Sequence, residues 1–197
     1  MRMRLYSTLT AALLVLAGGA APGAQQRIPT RFSGLISDFT PAHDSKGNLT
    51  GPWVIHGNWR LDLQSGNMAT FVAALTMEHA DSWFALNPAA NPDDPTARTA
   101  HTHDVVMRGQ VSADPSGCPT VSDAPATTTG FVVTGSASVT GNGQNAPFAP
   151  NGELSPLTVC VTGGADVEFA NVTLVFGTPA SKHFGQQPLN GAVLASY

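Results

Sequence analysis

Apolar and polar residues alternate with a period of two along most of the chain, and the alternation marks out strands. Between Pro52 and Leu63, Trp53, Ile55, Gly57, Trp59, Leu61 and Leu63 share one face, while His56, Asn58, Arg60 and Asp62 share the other. A half-buried antiparallel strand reads in this way. The turn Gln64-Ser65-Gly66-Asn67 leads into Met68 to His79, whose apolar face is Ala69, Phe71, Ala73, Leu75 and Met77; counting on by two reaches His79. Thr99 to Ser112 presents His101, His103, Val105, Met107, Gly109 and Val111 on one side, with Thr102, Asp104, Arg108 and Gln110 on the other. Arg31 to Phe39, Gly130 to Thr140, Leu157 to Thr162, Val167 to Phe176 and Leu189 to Ser196 complete the predicted strands.

No segment carries a convincing amphipathic helical period, and twenty Gly and fifteen Pro punctuate the strands. Asn142-Gly143 and Gly163-Gly164 mark tight turns. Ala80 to Arg98 is a long irregular connection, with Asn87-Pro88, Asn91-Pro92 and Asp94-Pro95. The fold expected is a single all-β domain of about eight to ten strands, an antiparallel barrel or sandwich.

The first two dozen residues break this pattern. Arg2 and Arg4 precede an apolar run from Leu5 to Ala17, and small residues from Gly18 to Ala24 follow. This is the order of a secretory signal peptide, so residues 1–24 are expected to be a leader and 25–197 an exported domain, secreted or periplasmic. No later segment approaches the ~18 apolar residues of a membrane-spanning helix. Without Arg2 and Arg4, seven Lys and Arg stand against thirteen Asp and Glu, a net charge of about −6. The basic residues are scattered, so neither nucleic acid nor an anionic membrane surface is an expected partner. In an oxidising compartment the two cysteines, Cys118 and Cys160, most simply form one disulfide.

Candidate chemistry lies with histidine. On a strand, His101 and His103 point to the same face, on the side that carries Val105 and Met107. If Met68–His79 and Thr99–Ser112 pair antiparallel, His79 at the end of one comes near the start of the other. His183, in the late segment Ser181-Lys182-His183-Phe184-Gly185, is a candidate to close a fourth position. Imidazoles in such a set suit zinc, copper or iron, and an open position would let the ion polarise water. The candidate metal ligands are therefore His79, His101, His103 and His183, with a zinc or copper ion as the candidate cofactor. Glu78, Asp81 and Asp104 are available to orient a ring, although alternation turns Glu78 and Asp104 to the opposite face. His56 and His43 read as solvated residues. Trp83 and Phe84, beside His79 in the long connection, are candidates to cover a pocket and touch a small ligand.

No nucleophile elbow, phosphate-binding glycine loop or activated cysteine is present. Three functions remain: an exported binding protein with a His-based metal site at a rim pocket; a lipocalin-like carrier or cell-surface interaction module without metal; and a metal-dependent extracytoplasmic enzyme. Partners are then a small molecule or a metal ion, and nothing in the sequence sets the oligomeric state.

His101-Thr102-His103 followed by Cys118 is similar to the strand H-x-H and loop cysteine of copper/zinc superoxide dismutases. No His lies near Cys118 and no Arg follows Arg108, so that family's bridging ligand and late arginine have no counterpart here. Ala100-His101-Thr102-His103 is similar to the Ala-His-x-His signature of chordin-type domains. Both resemblances imply only that such a strand motif can serve a metal.

Overall fold

In the computed structural model the residues described are 30–40, 52–79, 100–119, 130–141, 152–163 and 170–197, without the side chain of His79. The leader, His43, Asp81, Trp83 and Phe84 lie outside this set. Eight strands run in chain order: β1 Arg31–Thr40, β2 Trp53–Gln64, β3 Met68–His79, β4 His101–Ser112, β5 Gly130–Val139, β6 Glu153–Thr162, β7 Asn171–Phe176 and β8 Leu189–Ser196. Each pairs antiparallel with the next, and β8 pairs with β1 to close a barrel. The all-β fold expected from the alternation is observed, and of the two architectures left open, barrel and sandwich, it is the closed barrel. Consecutive pairing also separates it from the Greek-key sandwich architecture of superoxide dismutases.

Local chemistry explains some of the strand boundaries. Gly66 and Asn67 turn β2 into β3 at φ 74° and 56°, a left-handed conformation that Gly adopts freely and Asn tolerates. The last strand closes the barrel at the termini: Thr30 N–H donates to the Tyr197 carbonyl, and Tyr197 N–H to that of Arg31. β6 starts at Glu153, ahead of the predicted Leu157, and so contains Pro156. Pro156 lacks an N–H, but it lies just past the last β6–β7 ladder pair, Leu157–Phe176, and its carbonyl accepts from Gly177.

Inward-facing side chains fill the lumen. Trp59, Leu61, Phe71, Met107, Val133, Val159 and Leu174 are all at most 3% exposed. The faces that alternation assigned to the interior of β2, β3 and β4 are the faces that pack there. Val54 is the departure: it belongs to the outer face of β2 by parity, yet it is buried.

The two ends of the barrel differ. One carries the β2–β3 turn, both described termini and the Cys118–Cys160 disulfide, which staples the short 3-10 turn Pro115–Gly117 to the wall at β6. At the other end β1, β3, β5 and β7 finish, and β2, β4, β6 and β8 begin. Between β7 and β8 a four-residue helix, α1 (Ser181–Phe184), closes over this end. Its flanking Ala180 and its own Phe184 are fully buried, and Phe184 stacks on Phe176 at 4.7 Å between ring centroids. Three polar contacts fasten it: Ala180 N–H donates to Ser155 Oγ, Thr40 Oγ1 to the Phe184 carbonyl, and Gln187 Nε2 to Thr40 Oγ1. Among the described residues no helix is long and apolar enough to cross a membrane.

Candidate metal centre

The end closed by α1 is where the histidines meet. His101 and His103 occupy the first two inward positions of β4, and His183 descends from α1. All three are buried, His103 to 1% exposure. His183 Nε2 lies 3.2 Å from His101 Nε2 and 3.1 Å from His103 Nε2. The ligating atoms of the three rings all fall within 4.8 Å of one another, the spacing of a group able to hold a metal ion. Four ligands around zinc at 2.0–2.1 Å would stand about 3.3–3.4 Å apart, so two of the separations already match. The third separation is at most 4.8 Å.

The polar and aromatic surroundings set the rings. His103 Nδ1 is 3.0 Å from the Thr140 carbonyl. A carbonyl only accepts, so Nδ1 carries the proton, and in the neutral ring Nε2 presents a lone pair to the cluster. A backbone carbonyl fixing the tautomer of a ligating histidine is a recurrent support in metal sites. Burial, together with the neighbouring His183 and His101, lowers the His103 pKa to about 3, while the Thr140 contact opposes the shift. His103 is therefore a neutral base at ordinary pH. Trp53 meets the His101 ring edge-on at 5.2 Å, and Phe184 meets His103 in the same way at 4.9 Å.

These contacts also conflict in a metal-free site. One ring nitrogen has one in-plane hydrogen or lone pair, and His183 Nε2 sits within hydrogen-bonding distance of two others. With His103 Nε2 as an acceptor, a proton on His183 Nε2 serves that contact and shares poorly with His101. An ion facing three lone pairs satisfies every ring at once.

The remaining candidates are placed as follows. β3 and β4 pair antiparallel as expected, but the residue opposite His101 is Met77, and Leu75 stands opposite His103. His79 ends β3 two residues past that last pair, with Trp53 across from it on β2. Glu78 and Asp104 fall on the outer face by parity, Asp104 exposed, so neither orients a ring of the cluster. His56, on the same outer parity, is half-buried rather than fully solvated. Two surface cavities of about 670 and 450 Å³ lie elsewhere. The larger lies on the outer wall against Asn58, Arg60, Ala74 and Asp104, the smaller beside the termini against Arg31, Asp62 and Tyr197. Thr140, which fixes the His103 tautomer, was not evident from the sequence, because its carbonyl carries no residue-type signal.

Compared with known proteins, the chain matches no family model, no curated protein and no solved structure. The fold and the three converging imidazoles therefore define it so far: a closed eight-stranded antiparallel barrel with a buried three-histidine cluster beneath a helical cap.

Proposed function

We propose that the chain is an exported metal-binding barrel that holds one zinc or copper ion at its capped end through His101, His103 and His183, with His79 as a further candidate ligand. The observation that carries this reading is the meeting of three Nε2 atoms from two separate elements, one of them fixed as a lone-pair donor by Thr140. One N–H···N hydrogen bond would account for either contact alone, but His183 Nε2 faces two imidazole nitrogens at once, an arrangement that a shared ion serves better than a single proton. The filled lumen of the described barrel favours this reading over a lipocalin-like carrier, which needs a hollow interior. A small molecule that reached the ion would approach from the side of the β3–β4 connection, and Trp83 and Phe84 are proposed to cover it. Export is supported by the leader-like N-terminus and by a disulfide suited to an oxidising compartment.

The test is metal content after purification without chelators, followed by zinc and copper titration, for the wild type and for His101→Ala/His103→Ala. About one ion per wild-type chain and none in the double variant is expected. Equal, near-zero uptake of both metals by the two proteins refutes the site. His79→Ala decides the status of the fourth candidate.

A further inference from the structure

We infer that Met77 is a ligand of the same site, through its thioether sulfur, and that the site is thereby selective for copper in its monovalent state. The inference rests on the metal-site reading above and deepens it. Met77 is the residue directly opposite His101 across the β3–β4 ladder. Both face the interior, and Met77 is fully buried. Opposed residues on one face have Cβ atoms about 4.5–5.5 Å apart, and the diagonal neighbour, here His103, is within reach of a long side chain. The unbranched methionine side chain has the rotational freedom to turn its sulfur toward the rings.

Charge points the same way. Three imidazoles and a thioether are all neutral, so the ion's charge is carried uncompensated into a buried site. Among the described residues, the carboxylates closest in register do not neutralise it. Glu78 and Asp104 sit on the outer face, and Asp38 accepts from the backbone N–H and the side-chain amide of Asn190. The cost of burying charge rises with its square, so a monovalent ion is favoured over a divalent one. Thioether sulfur is a soft donor that selects monovalent copper and adds little for zinc. Trp53 and Phe184, packed edge-on against the ligand rings, add further apolar surroundings.

The experiment is an anaerobic competition for monovalent copper between the full chain and a chromogenic chelator, run on wild type, Met77→Leu and Met107→Leu. Leucine conserves the volume of methionine and is well tolerated in cores. Met107 is the control, equally buried but further down β4, opposite Phe71. Met77→Leu is expected to weaken copper binding by at least the 10–100-fold that loss of a supporting partner causes. Met107→Leu should leave it unchanged. Zinc affinity should be the same in all three, which a general loss of structure would not produce. X-ray absorption of the copper-loaded wild type should show a sulfur neighbour that Met77→Leu lacks. Unchanged copper affinity in Met77→Leu, or a wild-type copper shell of nitrogen alone, overturns the inference and leaves the metal site standing. A wild type that takes up neither metal overturns both.

Discussion

Phe184 is the residue on which the capped end depends, and truncating it gives a quantitative test. Its side chain is fully buried, stacked on Phe176 and edge-on to His103, and its own carbonyl accepts from Thr40. Phe→Ala at a site of this kind removes the transfer free energy of the ring and leaves a cavity, together about 3–5 kcal/mol. The aromatic contacts account for roughly 0.5–1.5 kcal/mol per pair beyond the buried area. A domain of this length shifts its Tm by about 2–4 °C per kcal/mol, so Phe184→Ala should melt roughly 6–20 °C below the wild type. Phe184→Leu should recover much of that difference. The assay is thermal and denaturant unfolding of both variants, with and without metal. Because His183 immediately precedes it in α1, Phe184→Ala should also lower metal affinity, although it removes no ligand. A loss below about 1 kcal/mol would refute the view that α1 is packed into the barrel rather than resting on it.

Two further outcomes follow from other parts of the molecule. Replacing both cysteines by serine opens a constraint that spans 42 residues in sequence, which should cost about 4 kcal/mol in the chain-entropy model. Metal affinity should not change, since the disulfide lies at the opposite end of the barrel; altered metal binding in that variant would contradict the separation of the two ends. The metal-free protein should also lose stability in acid. His103 stays neutral in the fold down to about pH 3, whereas the unfolded chain takes up a proton below its ordinary value of 6.5. The stability linked to this group is thus complete above pH 6.5 and falls as pH drops from there toward 3, by a little over 1 kcal/mol per pH unit. Urea midpoints of the metal-free wild type and His103→Asn at pH 7.5 and 5 measure it; identical pH dependence in the two would remove His103 as the cause.

What the sequence determined by itself was the place of most strands and, for β2, β3 and β4, the face each one buries. A two-residue period leaves little freedom: shifting it by one would expose Trp59, Leu61, Phe71 and Met107 and bury Arg60, Asp62 and Arg108. The same parity placed His101 and His103 on the inner face, and two cysteines admitted one intrachain pairing. Tertiary structure decided what those faces meet. The last segment was a plausible closing strand by its place in the chain, but its pairing with β1 is set by the geometry of the whole barrel. The β3–β4 register is likewise a long-range result. Alternation placed the end of β3, with His79, near the start of β4; the register adopted sets Met77 directly opposite His101 and His79 two residues further along. His183 could be nominated from the sequence only as a late residue that might arrive. It arrives because Phe184 and Ala180 bury themselves in the barrel end and Ser155 and Thr40 satisfy the backbone of the segment that carries it. A short helix of this kind has no periodic signal of its own; its position is decided by the cavity it fills.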